Sequence, residues 1–331
     1  MYKQIIRPLL FLLSPERVHS LLLSALRCYS HLPFVRSWVR RYYKATDKQL
    51  VWNQLVFKNR IGLSAGFDKS AEAFNELSDF GFGFIEIGTV TPDSQPGNPK
   101  PRIFRLPKAD SLISRTGFNN PGLDVVKRRL EYKTDAYLLG VNINKNPGSE
   151  KEEVVNDFLW LYAGLYSLAD YFTLNWGSIE PTLMHTVLET LTDFRNKQKN
   201  YRPILLKIPA DITTEGMDAV LHCIQAYKLQ GVIATGPTMD RSNLSPYTSA
   251  RLEAIGAGGV SGKGIGKKSI EAVKYLRSHS ERGMLIIGAG GVMTPEDAKQ
   301  MLAAGANLIQ IYSSFIYEGP AIVKNMIKAI H

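Results

Sequence analysis

Acidic residues are almost missing from the first 45 positions, where Glu16 alone faces Lys3, Arg7, Arg17, Arg27, Arg36, Arg40, Arg41 and Lys44. Most of the chain's net charge of +10 therefore sits at one end. Cysteine is scarce too. Cys28 and Cys223 lie far apart in 331 residues with no metal-ligand spacing around either, so neither a disulfide framework nor a metal site is expected, and the plain reading is a reduced cytoplasmic protein. Long apolar runs are absent from this basic end: Pro8 to Leu13 is too short to span about 30 Å of hydrocarbon. The "SPERVH" that follows is a poor signal-peptide cleavage site. Low-complexity tracts and internal repeats are also lacking.

What the basic end does contain is Leu, Phe, Val, Trp and Tyr alternating with the charges at helical spacing. That pattern predicts amphipathic helices lying on an anionic membrane surface, peripheral and on its cytoplasmic side, and it argues against nucleic acid as partner. The alternative is a basic helical pair packed on its own barrel. "SPERVHSLLLSALRCYSHL" opens with Ser14 as N-cap, Pro15 at the first helical position and Glu16 in the first turn; "PFVRSWVRRYY" is a second basic helical stretch. Polar sequence from Lys44 to Asn53 reads as a linker. The expected division is thus a helical segment over 1–45 and a main domain over 46–331.

The main domain alternates strand and helix eight times. Short apolar runs over 61–65, 84–88, 138–142, 171–175, 204–208, 231–235, 285–289 and 308–312 suit parallel strands buried on both faces. Amphipathic stretches follow at 70–80, 152–168, 183–197, 214–229, 268–279 and 295–304. Eight such units predict an α/β fold, a closed (β/α)8 TIM barrel with a small N-terminal helical extension.

Ligand sites in such barrels lie at the C-terminal strand ends, and all eight ends here are polar or glycine-rich. "IGAGGV" and Tyr312-Ser313 occupy the last two loops, where backbone N–H groups commonly hold phosphate. Lys207 ends an apolar strand and needs an anionic partner, either a ligand that develops negative charge or a barrel carboxylate such as Asp68. His185 has no second ligand at helical spacing and reads as a helix-surface residue.

"GLSAGFDK", "GFGFIEIGTVTPDSQPGNPKPRIFRL", "GVNINKN", "GVIATGPTMDRS", "IIGAGGV" and "LIQIYSSFIYEGP" closely resemble the dihydroorotate dehydrogenases of the membrane-associated, quinone-reducing class, over the whole chain. The resemblance implies FMN across the barrel mouth. By motif match its contacts are Ala65, Gly66, Thr89, Asn142, Asn175, Lys207, Thr235, Gly262, Gly291, Tyr312 and Ser313. It further implies oxidation of dihydroorotate to orotate in pyrimidine synthesis, with electrons passed to a membrane quinone by way of the N-terminal helices. Ser178 matches the family's base. Lys69, Ser114, Arg115, Thr116, Gly117, Phe118 and Asn175 match its substrate contacts.

The substrate motifs depart from the family pattern. Its Asn-x-Ser-Ser-Pro-Asn-Thr loop reads "NWGSIEP" from Asn175, and the lid sequence that should follow is missing. Ser114, Glu180 and Gly236 stand where the family has asparagine, and Pro237 follows Gly236. Hydrogen bonds to a charged ligand contribute roughly 1.5–3 kcal/mol each, so these losses weigh against dihydroorotate, and Glu180 adds an expected clash with a substrate carboxylate. Besides the family reaction, two readings stay open: a flavin enzyme for another substrate, and a non-catalytic flavin-binding protein. A phosphosugar barrel without flavin fits the Asn142, Lys207 and Thr235 set poorly.

Overall fold

The computed structural model describes residues 2–45 and 48–331; the middle of the expected linker, 46–47, lies outside the described residues. After a wide helical turn (Tyr2–Ile6) come α1 (Arg7–Phe11), α2 (Pro15–Ser30) and α3 (Pro33–Tyr43). Ser14 caps α2 by accepting from the Arg17 N–H, as its sequence predicts. The remainder of the expected linker is ordered. β1 (Leu50–Trp52) and β2 (Leu55–Phe57) form an antiparallel hairpin turned at Asn53, whose φ is +51°.

Along the chain follow β3 (Ile61–Leu63), β4 (Phe84–Val90), β5 (Ile103–Leu106), β6 (Ser111–Ser114), β7 (Leu138–Ile143), β8 (Tyr171–Asn175), β9 (Ile204–Ile208), β10 (Gly231–Ala234), β11 (Gly259–Gly262), β12 (Leu285–Ala289) and β13 (Leu308–Ile311). β3, β4, β7, β8, β9, β10, β12 and β13 close in that order into a parallel barrel. All eight match strands expected from the sequence. β5, β6 and β11 make a separate antiparallel sheet, which the search for apolar runs passed over.

Side chains of a strand alternate between faces, so every second residue points into the barrel. Phe84, Tyr171, Leu205, Ile233, Leu285, Ile287 and Leu308 fill its floor, and Phe57 of the β1–β2 hairpin plugs them from below, its ring edge-on to Phe84 at 5.2 Å. Glycines make room for the two largest rings. A Cβ at Gly62 would stand 2.3 Å from the Phe84 ring, and one at Gly140 only 2.1 Å from the Tyr171 ring. One step further up the same strands, Phe84, Tyr171, Leu205 and Leu308 give way to Glu86, Thr173, Lys207 and Gln310. The barrel interior therefore changes from apolar to polar within one side-chain layer.

The N-terminal helices pack on this barrel. Leu23 and Leu26 of α2 join the main apolar core. Asp79, 4% exposed, receives both Arg36 and Arg40 of α3, and Glu16 pairs with Arg102 at 2.8 Å. Among the described residues no single helix is long and apolar enough to cross a membrane; Tyr2–Phe11 and Pro15–Ser30 have the length only as a pair bent by 116°.

Emptying the plug should be costly. Phe57→Ala is expected to destabilise the fold by about 3–5 kcal/mol in urea unfolding. Val51→Ala, on the exposed side of the same hairpin, should stay within about 0.5 kcal/mol of the parent.

Candidate active site

The barrel's C-terminal rim opens into a cleft with about 850 Å³ of empty space, open solvent at its mouth included. Ala65, Gly66, Lys69, Ser114, Thr116, Lys207, Thr235, Gly236, Gly262, Gly291, Tyr312 and Ser313 line it. One end is built of backbone. Gly262 (φ +98°) and Gly291 (φ +76°) both need the left-handed region, and a Cβ at Gly291 would fall 2.1 Å from the Gly266 Cα. Gly266 begins the helix Gly266–His279, so a helix start meets the glycine turn, with the Ser261 and Ser313 hydroxyls 3.3 Å apart beside it. N–H groups and hydroxyls gathered in this way suit an anion such as phosphate.

Lys207 marks the other end, and beside it, outside the cleft lining, three predicted side chains form a group. Thr89, Asn142 and Asn175 end the consecutive strands β4, β7 and β8 and bond to one another. The Thr89 hydroxyl donates to Asn142 Oδ1 at 2.6 Å, and the two amides exchange bonds of 2.9 and 3.1 Å. This locks both amide orientations and leaves each amide nitrogen a further proton. Lys207 is the neighbour of Asn175 across β8 and β9. Its ammonium donates to Ser64 Oγ at 3.1 Å and lies 3.9 Å from Glu86 Oε1.

Glu86 is thus the barrel carboxylate that partners Lys207. Asp68, the carboxylate named from the sequence, instead accepts the Glu72 and Ala73 N–H groups at 2.8 Å each. Burial pushes the Lys207 amine below its ordinary range and Glu86 opposes that. Lys69, donating to the Gly66 carbonyl at 2.9 Å, is lowered to about 8, by burial first and Arg102 next, against Asp68 and Glu16. The donor set fits a flavin phosphate: neutral backbone donors for an anion at one end, fixed amides and an ammonium for a polar ring at the other.

Several residues grouped by motif are placed apart from the cleft lining. The Arg115 guanidinium is held by the carbonyls of Ile255, Ala257 and Pro101 and lies over the Phe104 ring, so it braces the β5–β6 sheet. Phe118 is 39% exposed at φ +51°, and Gly117 at φ +67° packs against Asn98. The Ser178 hydroxyl donates to the Asn175 carbonyl at 2.8 Å and lines a separate hollow with Trp176, Ile179 and Glu180. Glu180 is exposed at the start of the helix Pro181–Asn196, where a carboxylate is favoured by the helix dipole. It lies outside the cleft lining but in the same hollow as Ser178. His185 is half-buried and meets Tyr227 Oη at 3.0 Å, a contact between neighbouring helices, not a bare surface position.

Sequence reasoning missed Ser64, Glu86, Thr173 and Gln310. A readable signal existed for two of them, since Glu86 and Gln310 interrupt the apolar runs "FIEIG" and "LIQIY" on inward positions.

A second, largely apolar cavity runs between α1, α2 and the rim, holding about 1330 Å³ up to its mouth. Leu22, Leu26, Phe67, Phe315 and His19 line it, and Lys69, Ile103 and Tyr312 are shared with the first cleft. Those three side chains form a common wall.

Comparison with known proteins agrees with this geometry. The sequence pattern of the family described as dihydroorotate dehydrogenase matches residues 48–331. Relatives named dihydroorotate dehydrogenase (quinone) include that of Christiangramia forsetii, 40% identical over 98% of this chain and 97% of the relative. That of Proteus mirabilis is 36% identical over the full length of both. Among solved structures, an Eimeria tenella enzyme crystallised with ferulenol superimposes with a TM-score of 0.79 at 28% identity, over 95% of this chain and 90% of that one.

His19 gives this region a pH signature. Burial, then Lys69, lowers its ring to about 4, against a hydrogen bond to the Phe67 backbone. Its folded pKa lies below the unfolded value near 6.5, so between those values the unfolded chain binds more protons. Stability should therefore fall as pH drops from 6.5 to 4, by about 2–3 kcal/mol from this residue. Urea midpoints at pH 7, 5 and 4 should show a smaller loss for His19→Phe than for the parent; equal losses would exclude His19 as the source.

Proposed function

The chain belongs to the dihydroorotate dehydrogenase family, and on that premise we propose that it oxidises dihydroorotate to orotate with FMN and passes the electrons to a membrane quinone. One observation carries the reading most of the way: a single cleft joins a glycine-built anion cradle to the Lys207 ammonium, with the interlocked Asn142 and Asn175 amides on the strands beside it, and shares a wall with an apolar cavity under the N-terminal helices. When bound, FMN supplies the two-electron acceptor. The residues that would hold its phosphate are Gly262, Gly291, Tyr312 and Ser313; its ring would meet Ala65, Gly66, Thr89, Asn142, Asn175, Lys207 and Thr235.

Within that arrangement the chain's own groups divide the work. Lys207 faces the negative charge that accumulates on a reduced ring. Lys69, Ser114 and Thr116 line the cleft and orient substrate, while Arg115 holds the stretch that carries Ser114 and Thr116. Ser178 serves as base at C5 of the substrate, C6 being the hydride donor. The Asn175 carbonyl, which accepts the serine proton here, must release it for that role. The lost family asparagines are offset in part by Ser114 and Thr116, whose side chains line the cleft.

Residues 1–45 are the quinone and membrane segment, and 46–331 the flavin barrel. Phe34 is 90% exposed and Leu12 82%, with Trp38 on the same helix as Phe34 at 63% and the exposed Arg41 one turn beyond it, whereas Arg36 and Arg40 turn toward Asp79. Such a face suits peripheral attachment to an anionic surface, on the cytoplasmic side.

Protein purified with excess FMN should be yellow, and anaerobic dihydroorotate should bleach it. A yellow protein that ignores dihydroorotate but is bleached by dithionite would overturn the substrate. Ser178→Ala should slow anaerobic flavin reduction by about 10²–10⁴-fold while leaving the flavin spectrum unchanged. Phe34→Ser with Trp38→Ser should weaken binding to anionic vesicles at least tenfold; unchanged sedimentation with vesicles would reject this face as the anchor.

A further inference from the structure

Beneath the rim sits a carboxylate that the reaction above does not use. Glu86 is fully buried. Its Oε2 accepts from Gln310 Nε2 at 2.8 Å, the Thr173 hydroxyl at 3.1 Å and the Tyr171 hydroxyl at 3.2 Å. Its Oε1 accepts no hydrogen bond and is the oxygen 3.9 Å from the Lys207 ammonium. Three donors on one oxygen from two different strands fix the carboxylate's rotation and leave its other oxygen aimed at Lys207. A carboxylate serving only to fill the barrel would have donors shared between its oxygens, or a neutral residue in its place, since burying an unpaired charge costs several kcal/mol.

We infer that Glu86 is the positioning residue for Lys207, holding its ammonium charged and directed at the rim so that a fixed positive group faces whatever ring the cleft binds. The groups around the Glu86–Lys207 pair are Ser64 beyond β3, Tyr171, Thr173 and Asn175 on β8, Thr235 beyond β10 and Gln310 on β13; of the residues that face Lys207, Glu86 carries the opposing charge. Burial works against the ammonium and Glu86 works for it. Without Glu86 the amine sheds its proton at lower pH, and the rim loses its positive group. The consequence for the bound ring rests on the flavin reading; the coupling of the two side chains does not.

The test separates them. In flavin-free protein carrying lysine labelled with 13C at Cε, the Lys207 signal is assigned by its loss in Lys207→Met and followed with pH. In Glu86→Gln its midpoint should drop by at least about one pH unit, a tenfold loss of proton affinity; a midpoint unchanged from the parent overturns the inference. In protein loaded with FMN and photoreduced, the absorbance change from the anionic to the neutral reduced flavin should persist to higher pH in Glu86→Gln than in the parent, because a lost positive neighbour favours the protonated ring; coincident profiles overturn it. A failure to bind FMN at all would sink the proposed function while leaving the first titration readable. If Glu86→Gln does not fold, the double variant Glu86→Gln/Lys207→Met decides. A cooperative melting transition regained in the double variant supports a coupled buried pair, and a double variant that is unfolded like Glu86→Gln overturns it.

Discussion

The barrel depends on one arrangement of opposite charges in its interior. Glu86 and Lys207 are drawn from β4 and β9, strands on different sides of the cylinder, and neither would be tolerated alone at that depth. Above them the cleft mixes polar groups with apolar ones and opens to the mouth; below them the floor is aliphatic or aromatic and faces the hairpin plug. The boundary between packing and chemistry is a single layer, and this pair sits on it.

The same economy governs the rim. Asn142 and Asn175 spend part of their hydrogen-bonding capacity on each other and on Thr89, which fixes their orientation before any ligand arrives. Backbone at the opposite end is braced by close packing instead, Gly291 against Gly266 at the start of the Gly266–His279 helix and Gly262 against Asp110. Preorganisation of this kind is what allows fixed dipoles to act on developing charge without first having to reorient.

Much of this was legible in the sequence. The eight barrel strands follow from short apolar runs, and the rim residues follow from their C-terminal ends. The hairpin plug was not legible, because Leu50, Trp52, Leu55 and Phe57 alternate over only two short strands and look like the tail of a polar linker. The β5–β6–β11 sheet escaped for a similar reason: β5 and β11 mix Arg, Ser and Gly with their apolar residues. Family motifs named many of the residues that line the cleft but said less about geometry. Arg115 matches its motif while its guanidinium is committed to three backbone carbonyls, and Glu180 departs from its motif while pointing to solvent. Residue type is written in a sequence; the direction in which a loop side chain leaves the backbone depends on partners far along the chain.

Gly140 shows how tightly floor and rim are joined. Its missing side chain is the space that the Tyr171 ring occupies, and the Tyr171 hydroxyl is one of the three hands on Glu86. A methyl group gained at 140 would have to be answered by a smaller ring or a shifted strand at 171, and either would free the carboxylate to turn. Drift at a position with no functional group of its own would then reach the charge at the mouth, so these sites are expected to change together across descendants of this chain or not at all.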